Sequence, residues 1–416
     1  MRPVARLACV GLAVLSLSLA GCTHNNNTPA PTTTPLPAVS VPLSLSGPVA
    51  DQTIKIGIVV APLQGEGSEY RSLADGARVA AYRFQMTGAK IEIDTALDDG
   101  TVGGMTSALS KLSGENDIGI IVASAGAHVR QALAQTHIQQ PILLPYDSPD
   151  SPLQGVWSTG PTVDGINQAI TQALGSAHVA HPFLVNDANQ PDLTIPATTT
   201  AAYSSTMADQ VVAALTSGAA DSVVINAPAG DQAQLVTAVQ QGLGNRQAPL
   251  ILTPQALTPA FAQALAQTGM PSSPLITVGP NTNDPAALQP TSAGAHLAAF
   301  FSALRLAAND PTCMNIFGDA AFSQSAQSAD AASHDATIAL IRAAEKAGTT
   351  SPPAVAQALQ TLTVQPDDGL AGPALDFRTA TALSTSAIQP LYASSQNLGL
   401  RPTSDSTQPA LVWFAQ

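Results

Sequence analysis

The sequence predicts an α/β fold built on parallel central sheets, and three observations predict it. Short β-branched runs alternate with segments of helical period along most of the chain, the pattern of successive strand–helix–strand units. The strand runs are short and apolar, as strands covered on both faces must be. The chain of 416 residues is 45% apolar, enough for sizeable cores, and at about 150 residues per domain it suggests two or three domains.

Before the first strand come an address and a tether. Arg2 and Arg6 precede an apolar run from Leu7 to Ala20, about 14 residues, which is short for a membrane span and right for a signal-peptide core. The run ends in Leu19-Ala20-Gly21-Cys22, which resembles the bacterial lipobox. That resemblance implies that residues 1–21 are a lipoprotein signal peptide and that Cys22 is lipidated; the alternative is an ordinary secretory signal with an incidental cysteine. Two or three acyl chains hold a protein stably on a membrane where one does not. Residues 22–52 are rich in Pro, Thr, Asn and Ser, as in Asn25-Asn26-Asn27-Thr28-Pro29, and read as a solvated tether spanning roughly 30 Å.

The body then alternates. Ile54, Ile56, Ile58, Val59 and Val60 form a buried strand bounded by Pro62 and Gly65, and Leu73, Ala77, Ala80, Ala81 and Phe84 follow at helical spacing. A strand from Lys90 to Ala96 ends at the turn Asp98-Asp99-Gly100, before a helix containing Met105, Leu109 and Leu112. Next come a strand from Ile118 to Val122, a helix through Val129, Leu133 and Ile138, and a strand from Pro141 to Leu144. A helix with Ile166, Ile170 and Leu174 opens a second half. Its strands are Pro182 to Val185, Ser222 to Ile225, Pro249 to Leu252 and Pro274 to Val278, with a helix through Phe261 and Leu265. Helices from Ala293 to Ala308 and Ala331 to Lys346 flank a loop holding Cys313 and Phe317; a short helix and a strand pair ending at Leu411 to Phe414 complete the chain. Ligands on such sheets sit outside the carboxyl ends of the strands.

Several segments, in their order and spacing, resemble the type I periplasmic binding proteins of the branched-chain amino acid and amide class. They are Ile54-Lys55-Ile56-Gly57-Ile58-Val59-Val60-Ala61-Pro62-Leu63, Gly76-Ala77-Arg78-Val79-Ala80, Asp98-Asp99, Ser124-Ala125-Gly126-Ala127 and Asp150-Ser151-Pro152. Later come His334-Asp335-Ala336, Glu345-Lys346-Ala347-Gly348 and Gly369-Leu370-Ala371-Gly372-Pro373. The resemblance implies two Rossmann-like lobes joined by three crossings, closing on a ligand between them. Mapped onto this chain, lobe one is 53–172 plus 291–372, and lobe two is 173–290 plus 373–416. Lobe two is expected to be trimmed: about eight residues separate Val185 from the apolar run at Leu193 to Ile195, too few for a crossover helix.

The same resemblance places candidate ligand contacts. Ser124 and Ala127 stand where relatives hold a ligand carboxylate at a helix start, where unpaired amides and the helix dipole favour an anion, with His128 as an extra donor. Ser124 as a plain cap and His128 on a solvent-facing turn remain alternatives. Ser148 and Asp150 follow the fourth strand, Asp150 either meeting a ligand ammonium or capping a helix. Glu69 and Tyr70 lie in the first loop, Glu69 as a contact or a surface charge. In lobe two the candidates are Asn226 and Gln255; Gln255 replaces an expected acidic residue and Pro191 an expected tyrosine.

Composition removes several functions. With 15 Lys+Arg and a net charge of −13 there is no basic stripe for nucleic acid, nor a polybasic membrane patch. Three cysteines, at 9, 22 and 313, give no metal or redox spacing, and Cys313 reads as a small buried residue or a reactive thiol. No H-E-x-x-H, G-x-S-x-G or P-loop spacing occurs, so neither a catalytic residue nor a cofactor or metal site is expected. Two functions remain. The first is a lipid-anchored receptor on the outer face of a cell membrane, passing an amino acid, amide or related acid to the permease of an ABC importer. The second is an envelope lipoprotein that uses the same two lobes for interaction or regulation.

Overall fold

The computed structural model describes residues 38–65, 67–115, 117–149, 151–266, 272–395, 398–402 and 412–416. The first sheet comprises β1 (Thr53–Val60), β2 (Lys90–Leu97), β3 (Ile120–Ala123), β4 (Ile142–Leu144) and β5 (Val156–Ser158), all parallel, in the order β2-β1-β3-β4-β5. Between them run α1 (Gly76–Gln85), α2 (Val102–Gly114) and α3 (Ala127–Gln135). The Thr101 hydroxyl accepts from Gly104 N–H and so starts α2. Met105, Leu109, Val129 and Leu133 of α2 and α3 cover Val59 and Val122 on one sheet face. Ala77 and Phe84 of α1 pack with Ile54, Ile56 and Ile58 on the other. Both faces are therefore covered at the centre of the sheet, which is why β3 and β4 read as unbroken apolar runs, while the edge strand β2 alternates with exposed polar residues.

The second sheet repeats the scheme. α4 (Val163–Ser176) leads into β6 (Pro182–Asn186), β7 (Thr199–Ala202), α5 (Ala208–Ser217), β8 (Ser222–Asn226), α6 (Ala229–Leu243), β9 (Leu250–Leu252), α7 (Pro259–Ala266) and β10 (Leu275–Gly279). These five strands are parallel, ordered β10-β9-β8-β6-β7, so each sheet places its first strand between its second and third. Ile170 and Leu174 of α4 cover one face against Val224 and Ile251, while Val236, Val239 and Phe261 cover the other against Val223 and Ile225. The β6–β7 connection, residues 187–198, has no helix. The apolar run expected to resume the sheet at Leu193 to Ile195 instead packs half-buried on the core, and pairing restarts at Thr199.

The chain then returns through α8 (Ser292–Asn309), α9 (Ala331–Ala347) and α10 (Pro352–Leu359), followed by the short pair β11 (Thr363–Val364) and β12 (Leu375–Asp376). It ends in β13 (Gln389–Ser395) and β14 (Val412–Ala415), antiparallel strands added to β10. Ile338 and Ile341 of α9 join α1 over the first sheet. The backbone thus passes between the sheets three times, between β5 and α4, β10 and α8, and β12 and β13. The first passage falls at Thr159–Thr162 rather than at 172, because the apolar face of α4 covers the second sheet. The third falls after 372: Trp157 Nε1 donates to the Phe377 carbonyl, and Thr381 bridges to Ser158.

Residues 38–52, expected as part of the tether, pack on the body instead. Residues 38–52 form a strap on α1, α8 and α9. Leu43 and Val49 are buried, and the Arg83 guanidinium donates to the carbonyls of Ser40, Val41 and Gly369 at 3.2, 2.8 and 2.7 Å. Glu345 accepts from Ser46 N–H and Oγ at 2.7 and 2.6 Å. A prolyl, seryl segment can dock where the body supplies its hydrogen bonds, and composition does not reveal that. No described helix is long and apolar enough to cross a membrane.

Candidate functional site

In each sheet, loops leave in opposite directions on either side of the first strand, and the crevice at that reversal is where an open α/β sheet binds ligands. The two crevices face each other across one cavity of about 660 Å³, open to solvent. Lobe one contributes the loops after β1, β3 and β4, and lobe two those after β6, β8 and β9.

The lobe-one wall is built around a buried carboxylate. Asp147, just after β4, is 7% exposed. Its Oδ2 accepts Gly126 N–H at 2.9 Å from the start of α3, and its Oδ1 accepts Ser148 N–H at 2.8 Å. Arg130 Nη1, one turn into α3, donates to both oxygens at 3.0 and 3.2 Å. Burial pushes the Asp147 carboxyl up, and the Arg130 charge and the amides of Gly126 and Ser148 pull it back. Two glycines permit this approach. Gly126 has φ +130°, and Gly67 has φ +79° with no room for a Cβ, which would stand 2.7 Å from the Ala125 carbonyl.

Beside Asp147, Tyr70 and Tyr146 stack with ring centroids 4.6 Å apart and planes 13° from parallel. Burial raises the Tyr70 phenol well above its ordinary value; Glu69 and Asp147 add to this, and the Gln255 amide opposes it. The Tyr146 hydroxyl donates to Asp330 Oδ1 at 2.9 Å, and burial pushes that carboxyl up to about 6. The tyrosines, Pro161, Ile166 and Gln255 also form the near wall of a second, more apolar chamber of about 830 Å³, whose far side carries Leu257, Pro280 and Arg401.

The lobe-two wall is a set of carboxamides. Asn226, buried at the end of β8, donates to Asn186 Oδ1 at 2.6 Å and to the Pro191 carbonyl at 2.8 Å, fixing the helix-free loop. Gln255 Nε2 donates to Gln190 Oε1 at 2.8 Å, and its buried Oε1 has no hydrogen-bond partner. Asn189, Gln190, Pro191, Leu193, Asn226, Pro228 and Gln255 bring no charge to the cavity.

Of the residues singled out from the sequence, Glu69, Tyr70, Ser148, Asn226 and Gln255 line this cavity. Ser124 and His128 stand behind it. Ser124 Oγ and His128 Nε2 each lie 2.7 Å from Asp98 Oδ2, and Gly100 N–H donates to Asp98 Oδ1 at 2.9 Å. Asp98 is fully buried and His128 is 8% exposed, so His128 is not on a solvent-facing turn. Ala127 opens α3 on an exposed surface beside the lining residues Ala125 and Gly126. Asp150 lies outside the described residues. The sequence reasoning passed over Asp147, Arg130, Tyr146 and Gln190, although Tyr146 and Asp147 directly follow a strand on its ligand-bearing side. Cys313 is buried and free, and burial pushes its thiol up to about 11, so it is an inert packing residue.

The profile of the periplasmic binding protein family matches residues 53–395, nearly the whole described body. The chain belongs to that family. It has the type I periplasmic binding protein fold, and the family is one of binding proteins. Solved structures share the fold at low identity. A type 1 periplasmic binding protein from Bordetella pertussis Tohama I is 16% identical, with TM-score 0.61 over 86% of this chain and 99% of that one. The branched-chain amino acid substrate-binding protein LivJ from Streptococcus pneumoniae, in complex with isoleucine, is 13% identical, with TM-score 0.63 over 88% and 99%. A solute-binding protein of an ABC transporter from R. palustris, in complex with 4-hydroxybenzoate, is 13% identical, with TM-score 0.59 over 88% and 98%. No curated protein matches the chain by sequence.

Proposed function

We propose that this periplasmic binding protein is a lipid-anchored receptor on the extracytoplasmic face of the cell membrane that captures a small polar solute for an ABC importer. The observation that carries the proposal is the cavity whose two walls come from different lobes. A solute touching Tyr70 and Ser148 on one wall and Gln255 on the other favours the closed arrangement by its differential affinity, and closure is what a permease can recognise. The pneumococcal and R. palustris proteins, bound to an amino acid and an aromatic acid, support a solute of this size. The anchor rests on the run Leu7 to Ala20 and on Cys22.

Thermal-shift measurements and native mass spectrometry on the purified full chain, against amino acids, amides and related acids, test the proposal. A cognate solute at 100 times its Kd should add about 2.7 kcal/mol of stability by linkage. Absence of any shift across such a panel would sink it. Metabolic labelling with an alkynyl fatty acid should mark the protein and leave Cys22→Ser unmarked.

A further inference from the structure

The lobe-one wall contains what a carboxylate ligand would need, and the protein has filled it from within. An anion seat consists of amide N–H groups at a helix start and a cation able to fork onto the oxygens. Here the Gly126 N–H opens α3, a helix of nine residues, and Arg130 stands one turn along it. Asp147 occupies that seat, its oxygens meeting Gly126 N–H, Ser148 N–H and Arg130 within 2.8–3.2 Å. Arg130 is thereby matched by Asp147, and Glu69 is the other charged group among the described lining residues.

Resting on the proposal that the interlobe cavity binds the transported solute, we infer that the site refuses carboxylates and takes an uncharged solute bearing carboxamide or hydroxyl groups. An incoming carboxylate would meet Asp147 and Glu69 and find the seat taken. Its desolvation would go only partly compensated, because the described lobe-two lining offers carboxamides and no cation. A carboxamide or hydroxyl, by contrast, donates and accepts, and it meets groups of the same kind. Gln255 Oε1 is buried without a partner and Gln190 stands beside it, both matched to a neutral donor. The stacked tyrosines supply a flat apolar wall for the rest of such a molecule. A cationic solute finds only Glu69 among the described lining carboxylates that Arg130 does not meet, and Glu69 is already engaged within the protein, while the described lobe-two lining carries no carboxylate.

The experiment uses shape-matched pairs and a vacated seat. Titration calorimetry and thermal shift on the full chain compare propionamide with propionate, glycerol with glycerate, and both with propylamine. Wild type should respond to the uncharged members and not to their charged partners. Asp147→Ala, unstable in chloride buffer, should regain melting temperature saturably with acetate but not with acetamide, and should bind propionate at least roughly tenfold more tightly than wild type. If Asp147→Ala does not fold, Asp147→Asn serves: it keeps the volume and should shift the preference toward propionate by a similar factor. Wild type binding propionate or propylamine as well as propionamide overturns the inference, as does failure of acetate to act on the vacated seat. If wild type answers to none of the pairs while acetate restores Asp147→Ala, the transport proposal is what fails and the filled seat stands.

Discussion

Single residues here divide into those that face the cavity and those that hold its walls, and the difference is measurable. Ser124 and His128 converge on Asp98 behind the wall. Ser124→Ala should therefore cost about 1–3 kcal/mol of stability in denaturant unfolding while leaving solute affinity within roughly threefold. Gln255→Ala should do the reverse, weakening the solute by about tenfold, as expected for one lost polar contact. A third residue carries a pH signature. Asp117 is fully buried with both oxygens unpaired, and burial together with Asp94 pushes its carboxyl up to about 7, against Lys55 and alongside Glu115. Folding therefore takes up a proton, so this contribution is complete below the unfolded pKa of about 3.9 and is lost as pH rises through about 7. Asp117→Asn should raise the melting temperature at pH 8 by roughly 2–6 °C and have little effect near pH 4. Such roles were hidden in the sequence. A helix-start motif such as Ser124-Ala125-Gly126-Ala127 marks a loop as chemically equipped, but whether its groups meet a ligand or a neighbour depends on partners 20 or more residues away, here Asp98 and Asp147.

Elements were legible where burial on both faces left no choice. The strands at Ile54, Ile120 and Val223 read directly, because a strand covered by helices on each side must be apolar at every position. β5 escaped because it has three residues around Trp157, and β7 because its residues are largely exposed at a sheet edge. The helix-free connection was expected from a count of about eight residues to Leu193; pairing restarts only at Thr199, so the connection of 187–198 is at the lower limit for a crossover and has no helix. The strap at 38–52 was not, because its stability comes from Arg83, Arg342 and Glu345 rather than from itself. Removing residues 38–52 should lower the melting temperature by at least about 4 °C relative to a chain starting at 38, since burial of Leu43 alone contributes about 2 kcal/mol. Differential scanning calorimetry of the two chains checks this; equal melting curves would show the docking to be energetically idle.

At the scale of the whole molecule, two sheets of the same strand order face one cavity, and one residue ties them together at the back. Arg401, between β13 and β14, donates through Nε to Asp284 Oδ1 at 2.9 Å and through Nη1 to the carbonyls of Gln327 and Ala329 at 2.8 and 2.7 Å. Its guanidinium lies over Phe301 of lobe one and Trp413 of lobe two. Arg401→Ala would leave Asp284, 2% exposed, buried and unpaired, and should cost about 3–5 kcal/mol in equilibrium unfolding. The family's two-lobed plan was legible from the order of the segments, and two of the chain's few aromatic residues, Tyr70 and Tyr146, stand on the cavity wall.

The strap has one more consequence. Among the described residues, the hydrogen bonds that residues 40–46 make outside the strap end on α1, α9 or the turn after α1, all within lobe one. Residues 40–46 are thus bolted to one jaw, and under the proposed closure the other jaw swings without pulling on them. Solute capture then does no mechanical work on this strap, and tension along it cannot pry the jaws apart.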